Sequence, residues 1–331
     1  MSPSPVADAF DIDYVAHEMG HEFGANHPFN GTASSCGGGN RNASTAYEPG
    51  SGSTIMAYAG ICGTANDLQP HSDAYFHVVS YEEIQTYLAS TSCGVTSSTG
   101  NNPPSVVLLP ASGKVLPIST PFKLTTGGYD SDGDALTYCW EEFDLGTGGS
   151  PTAAQVANNN VPLFRSFNPT ASPTRYFPRL SDLVNNAAVI GERLPTVART
   201  LTFRVTLRDQ HNGTQGVVGG LNSSQNVVMT TTASAGPFVV TSPNTAVSLA
   251  GGSSQPVTWN VAGTTANGVN CATVNLRLSV DGGLTYPTLL LAGAPNNGTA
   301  NVTLPSVATT TLGSVTLAVP LLGAPASSRV G

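Results

Sequence analysis

The chain has 331 residues, 40% of them hydrophobic and only 10% charged, which is enough for two or three domains. With a net charge of -8 and no basic run, neither nucleic acid nor an anionic membrane surface is an expected partner, and no apolar stretch is long enough to span a bilayer. Its 36 Gly and 24 Pro, among abundant Ser, Thr and Asn, point to turns and short strands over most of the length.

Residues 1–5 have neither the charged start nor the apolar core of a signal peptide. A helix is predicted from Asp11 as N-cap, burying Ile12, Val15, Ala16 and Met19 on the side away from a metal. It runs into His17-Glu18-Met19-Gly20-His21-Glu22-Phe23-Gly24-Ala25-Asn26-His27, the pattern H-E-x-x-H-x-x-G-x-x-H. Residues four apart share one helix face, so His17 and His21 can put two imidazole nitrogens on one ion. Gly24 can adopt the left-handed conformation that ends a helix, which lets His27 return as a third ligand. Three imidazoles and one open position are the ligand set of catalytic zinc, and Glu18 stands where it can take a proton from water and pass it to a leaving amine. The competing reading, His17 on a helix surface and His27 in a loop, requires five fixed positions to coincide in a chain with only 6 His.

This long motif resembles the signature of the metzincin metallopeptidases, which also carry a methionine turn below the zinc. Ser53-Thr54-Ile55-Met56-Ala57-Tyr58 resembles that turn, with Met56 as its methionine. The resemblance implies a zinc metalloendopeptidase acting on extracellular protein or peptide substrates, with zinc on His17, His21 and His27 and Glu18 as the base. In reprolysin-like members a cysteine after the third histidine bonds one past the methionine turn, which implies a Cys36–Cys62 disulfide here. The partner of Cys93 in those relatives lies upstream of the zinc helix, where this sequence has no cysteine; the count of 5 is odd. Many reprolysins also place Asp where this chain has Pro28. In astacins and serralysins a Met-x-Tyr tyrosine reaches the zinc or the developing oxyanion, so Tyr58 is either such a donor or part of a specificity-pocket wall.

Only 16 residues precede His17, whereas a metzincin domain has a sheet there whose edge strand aligns the substrate. The expectation is an N-terminally truncated catalytic subdomain over residues 1–93, α+β in parentage but mainly helix and loop, with its activity in this form left open. Residues 31–53 read as loop. A second helix is predicted from Ser80 to about Thr91, opened by a Ser80/Glu83 capping box and continued by Ile84, Tyr87 and Leu88 at helical spacing; the metzincin resemblance implies that this helix packs under the methionine turn. His71 and His77 read as structural or surface residues.

Residues 94–103 read as a linker, followed by two all-β immunoglobulin-like sandwiches at 104–235 and 236–325. A tail is placed at 326–331, and the stretch from Leu312-Gly313 to Val330-Gly331 reads as a truncation or frame break rather than a final strand and stop. In the first module the Leu136–Trp140 and Phe203–Leu207 stretches alternate as half-buried strands do, around an irregular insertion at 145–195. Asp130-Ser131-Asp132-Gly133-Asp134 resembles the acidic turn of cadherin-like modules; Asp130, Asp132 and Asp134 either hold calcium or form a plain turn before a strand. In the second module Val257–Val261 and Val274–Val280 alternate, Asp281-Gly282 reads as a hairpin turn, and Trp259 as core. The combined expectation is a secreted, monomeric bacterial zinc protease with immunoglobulin-like modules. Its rival is a non-catalytic adhesive or carbohydrate-binding module array of the cell surface.

Overall fold

The computed structural model describes residues 8–95, 97–152, 157, 161–211, 220–245, 249–306, 314–318 and 325–328. Residues 1–5 and the last three of the expected tail lie outside these. Among the described residues the chain is mostly β, with few helices. It divides into two compact units, one of residues 1–112, 125–175 and 201–228, the other of 113–124, 176–200 and 229–331. The division runs through the expected 104–235 module and leaves the histidine motif in one unit with much of that module. Within the expected linker, the Asn101 side chain donates to Asp209 at 3.0 Å, and Asn102 donates to Asp132 through its backbone N–H and side chain at 2.6 and 2.9 Å.

The first unit opens with helix α1, residues 8–22, in which α-helical Asp8–Phe10 and His17–Glu22 flank a π-helical stretch, Asp11–Ala16. Asp11 is therefore inside the helix and caps nothing. Asp13 ties the helix down, accepting from the Ser72 N–H and facing His71 Nδ1, each at 2.8 Å. Ile12 and Ala16 pack against buried Ala25, Ile55 and Met56, together with Phe76 and Ile84. Val15 and Met19 do not join them, being 43% and 55% exposed. The expected core face is thus wrong for these two residues. The methionine segment packs against the stripe of Ile12, Ala16 and Gly20, beside buried His17, so the buried side and the histidine side of this helix adjoin.

Helix α2 spans Val78–Ser90 and begins two residues before the predicted capping box. Its N-cap is His77, whose Nδ1 accepts from the Val79 N–H at 3.2 Å. Ser80 is buried inside the helix, and Glu83 instead accepts from the Asn26 N–H and side chain at 2.9 and 2.6 Å. Ile84 reaches the Met56 cluster as expected, while Tyr87 lies under Gly24.

Three strands complete the part of this unit that bears on the site. Leu136–Glu142 pairs antiparallel with Thr200–Asp209, from Leu136 opposite Asp209 to Glu142 opposite Phe203. Thr200–Asp209 also pairs with Leu221–Ser223. Buried Phe203, Val205 and Leu207 alternate along their strand.

The second unit contains two antiparallel sheets. One holds Val239–Ser242, Ser254–Asn260 and Thr299–Thr303; the other holds Thr288–Pro295, Thr273–Ser279, Ser314–Ala318 and Pro325–Ser328. Trp259 is buried and donates from its indole nitrogen to Asn296 at 2.8 Å, as a core tryptophan must to keep its N–H satisfied. Asp281 and Gly282 sit in a longer connection over residues 280–287, where Asp281 accepts from the Leu284 and Thr285 N–H groups at 3.1 and 2.9 Å.

Candidate metal centre

The last turn of α1 presents His17 and His21, and Gly24 then turns the chain at φ +85°. A Cβ there would meet the Tyr87 side chain at 3.0 Å, so both the backbone conformation and the space call for glycine. Beyond the turn His27 comes back, and its Nε2 lies 3.0 Å from His21 Nε2 and 3.2 Å from His17 Nε2.

The opposite nitrogen of each ring faces a backbone carbonyl. His17 Nδ1 donates to Ile55 O at 2.8 Å, His21 Nδ1 to Ala25 O at 2.8 Å and His27 Nδ1 to Asn40 O at 2.6 Å. A carbonyl can only accept, so the single proton of each neutral imidazole sits on Nδ1 and each Nε2 carries a bare lone pair. Three lone pairs converging at this range repel one another and cannot be hydrogen bonds. Tetrahedral zinc with nitrogen at 2.0–2.1 Å requires ligand atoms about 3.3 Å apart, close to the spacing found here. Carbonyls that fix the tautomer and aim the ring are also the usual support of metal-binding histidines. Burial acts in the same direction, lowering the His17 pKa and pushing that of His27 down to about 4, which keeps both rings neutral.

Met56 lies fully buried under this group, with its sulfur against α1. A Cβ on Gly20 would approach Met56 Sδ to 2.3 Å, so the helix needs glycine where the methionine crosses. Burial of a methionine side chain contributes roughly 1.5–3 kcal/mol. The same segment carries the Ile55 carbonyl that holds His17, so packing under the helix also sets a ligand's orientation.

Two residues that sequence reasoning passed over shape the turn. Buried Glu48 accepts from the Ser53 N–H at 2.9 Å and from the Thr54 hydroxyl at 2.6 Å, holding the loop just before Met56. Asn40 supplies the carbonyl for His27. The available signal was charge: Arg41 and Glu48 are the only charged residues between positions 31 and 53. Cys36 and Cys62 are disulfide-bonded, and with Phe29 and the partly buried Tyr58 they form a second small core.

The Tyr58 ring centroid lies 4.6 Å from that of His27 and 5.5 Å from that of His17. Its phenol pKa is raised, first by burial and then by the charge of nearby Glu18. Glu18 itself is exposed at the start of the His17–Glu22 turn.

The second acidic group behaves differently. The Asp130, Asp132 and Asp134 carboxylates lie within 4.8 Å of one another. Asp130 Oδ1 accepts from the Asp132 and Asp134 N–H groups at 2.9 and 3.2 Å, Asp132 is engaged by Asn102, and Asp134 faces His211 at 3.1 Å. Protein donors occupy Asp130 Oδ1 and both Asp132 oxygens, as in an acidic turn, while buried Asp130 Oδ2 accepts no hydrogen bond among the described residues. Cys93 is free and exposed; Cys139 and Cys271 are free and buried.

No curated protein matches the chain. Among solved structures it is similar to one described as "Structural basis for Dscam isoform specificity", at 12% identity and TM-score 0.22, over 69% of this chain and 45% of that one. It is also similar to Drosophila OTK extracellular domains 3-5, at 13% identity and TM-score 0.20, over 70% of this chain and 66% of that one. A third is the N-terminal four Ig domains of Dscam1 isoform 6.44, at 12% identity and TM-score 0.23, over 70% and 50%. Against the first of these the chain spans under half the other's length. Residues 3–76 match the family model described as Metallo-peptidase family M12B Reprolysin-like, a stretch that holds all three histidines, Glu18 and Met56.

Proposed function

We propose that this chain carries a zinc metalloendopeptidase site, with His17, His21 and His27 as the ligands, acting on peptide bonds of extracellular proteins. The observation that carries the reading is the convergence of three Nε2 atoms whose partner nitrogens are all committed to backbone carbonyls. Zinc, when bound, supplies a Lewis acid that polarises a carbonyl and makes water a better nucleophile near neutral pH. Glu18 accepts the proton of the attacking water at its carboxylate and returns it to the leaving amine. Tyr58, whose phenol stays protonated, offers an O–H to negative charge developing on the carbonyl oxygen, or else forms a wall against the substrate.

The remaining strands are read as two immunoglobulin-like modules. For the second, the support is its sheets of three and four strands around buried Trp259. An extracellular setting is supported by the disulfide.

Zinc content and casein cleavage, measured together, test this function. Glu18→Ala is expected to keep zinc and to lose cleavage by about 10²–10⁴-fold. Bound zinc without Glu18-dependent cleavage would instead favour the adhesive or carbohydrate-binding array. Tyr58→Phe with unchanged turnover would leave the tyrosine as pocket wall only.

A further inference from the structure

Beside His21 and His27 opens a cleft of about 400 Å³, walled by Asn26, Gly39, Asn40, Arg41, Asn42 and Ala43. In a chain with 20 acidic and 12 basic side chains, this wall has one cation and no carboxylate. Arg41 is held there by neutral groups. Its Nε and Nη2 donate to Asn30 Oδ1 at 3.1 and 2.8 Å, and Nη2 donates to Gly146 O at 2.8 Å. A Cβ on Gly148 would come within 3.2 Å of Arg41 Cδ, so residue 148 closes on the side chain and limits its freedom. No carboxylate pairs with Arg41 among the described residues, although it is partly withdrawn from solvent. An arginine fixed in place, partly desolvated and unpaired has paid its ordering cost before any anion arrives.

We propose that this wall is a carboxylate subsite, so that the site selects peptides bearing an Asp or Glu side chain, or a free C-terminus, beside the bond to be cut. The proposal rests on the metallopeptidase reading and names its substrate class. Asn30 and the 146–148 backbone orient the guanidinium, leaving Nη1 to donate to the substrate oxygen. Because the contact is partly exposed, it weakens as salt screens it.

The test uses the zinc-loaded full chain and peptide hydroxamates, which anchor on zinc without being cleaved, with the hydroxamate at either end. Each carries Glu or Gln at the two positions next to the anchor; the N-terminal hydroxamates are made with a free or amidated C-terminus to separate the two carboxylate sources. Calorimetry is expected to show a carboxylate at one of these places binding about tenfold tighter than its neutral counterpart, the scale of a charge-assisted hydrogen bond. Arg41→Gln abolishes that preference while leaving acetohydroxamate affinity unchanged, and Arg41→Lys retains part of it. If acetohydroxamate binds but no carboxylate is preferred, or if the preference survives in Arg41→Gln, the subsite is overturned alone. If acetohydroxamate itself does not bind, the metal-site reading falls and the subsite with it.

Discussion

At each of the three histidines the backbone does half of the chemistry, because a carbonyl at Nδ1 decides where the proton sits and so where the lone pair points. The carbonyl for His17 belongs to Ile55, and Ile55 is held by the contact between Met56 and Gly20. Gly20→Ala therefore sets two effects against each other. Helix propensity favours alanine by about 1 kcal/mol, while forcing a methyl into the space of Met56 Sδ costs about 1–3 kcal/mol. The gap is only 2.3 Å, and Met56 is fully buried in a packed cluster with Phe76 alongside, so its side chain has little room to yield and the steric term wins. We expect Gly20→Ala to lower the melting temperature and to weaken zinc binding about tenfold, as loss of a ligand's supporting contact does. A melting curve and a zinc titration check both; unchanged zinc affinity would mean that Met56 does not position His17.

At the scale of elements, the sequence was most informative where the physics is local. The four-residue spacing of His17 and His21, the helix stop at Gly24 and the alternation of Phe203, Val205 and Leu207 all follow from backbone periodicity and appear in the structure. Readings that depended on what packs from outside carried over only in part: Ile12, Ala16 and Ile84 reach the Met56 cluster. Val15 and Met19 face solvent because the methionine segment chose the neighbouring stripe, and Ser80 lost its capping role because His77 caps first. Glu48 is marked in sequence only by its charge within the 31–53 loop, and Asn40, which acts through its backbone carbonyl, is marked by nothing in the local pattern.

The His77 cap makes a testable element. His77 is buried, and burial pushes its pKa from 6.5 down to about 4. Its Nε2 is 3.7 Å from Glu141, too long for a hydrogen bond, and Glu141 already accepts from the Ser166 hydroxyl and the Val78 N–H. We therefore take His77 as neutral when folded. The unfolded chain binds the proton first, so the stability this residue contributes is complete above pH 6.5 and is lost as pH falls towards 4, up to about 3 kcal/mol. His77→Asn keeps a capping oxygen and removes the titration. Its melting temperature is expected to fall less steeply than the wild type's between pH 6.5 and 4.5; equal slopes would show that His77 does not titrate in this way.

At the scale of the whole molecule, the histidine segment and the strand Leu136–Glu142 belong to one unit and share a buried polar chain. Tyr75 donates to Ser166 Oγ at 2.7 Å, Ser166 donates to Glu141 Oε1 at 2.8 Å, and the Tyr75 carbonyl accepts from the Ile55 N–H at 3.0 Å. These bonds lead from the strand to the residue that orients His17. Domain boundaries read from composition separate them, because a buried glutamate in a strand looks like any surface glutamate until its partners are known. Ser166→Ala leaves Tyr75 and Glu141 each short of a partner and is expected to cost about 1–3 kcal/mol. With Trp259→Phe as background, Trp140 is the one tryptophan left of 2, and its fluorescence change should coincide with zinc release during unfolding. Two separate transitions would mean that the segment folds independently of the strands.

The most direct test of the account is anomalous diffraction at the zinc edge from crystals grown with zinc. The account predicts one ion bonded to Nε2 of His17, His21 and His27 at about 2.0–2.1 Å, with a position left open towards Glu18. Zinc held elsewhere in the chain, or a triad that stays metal-free at saturating zinc, would contradict it.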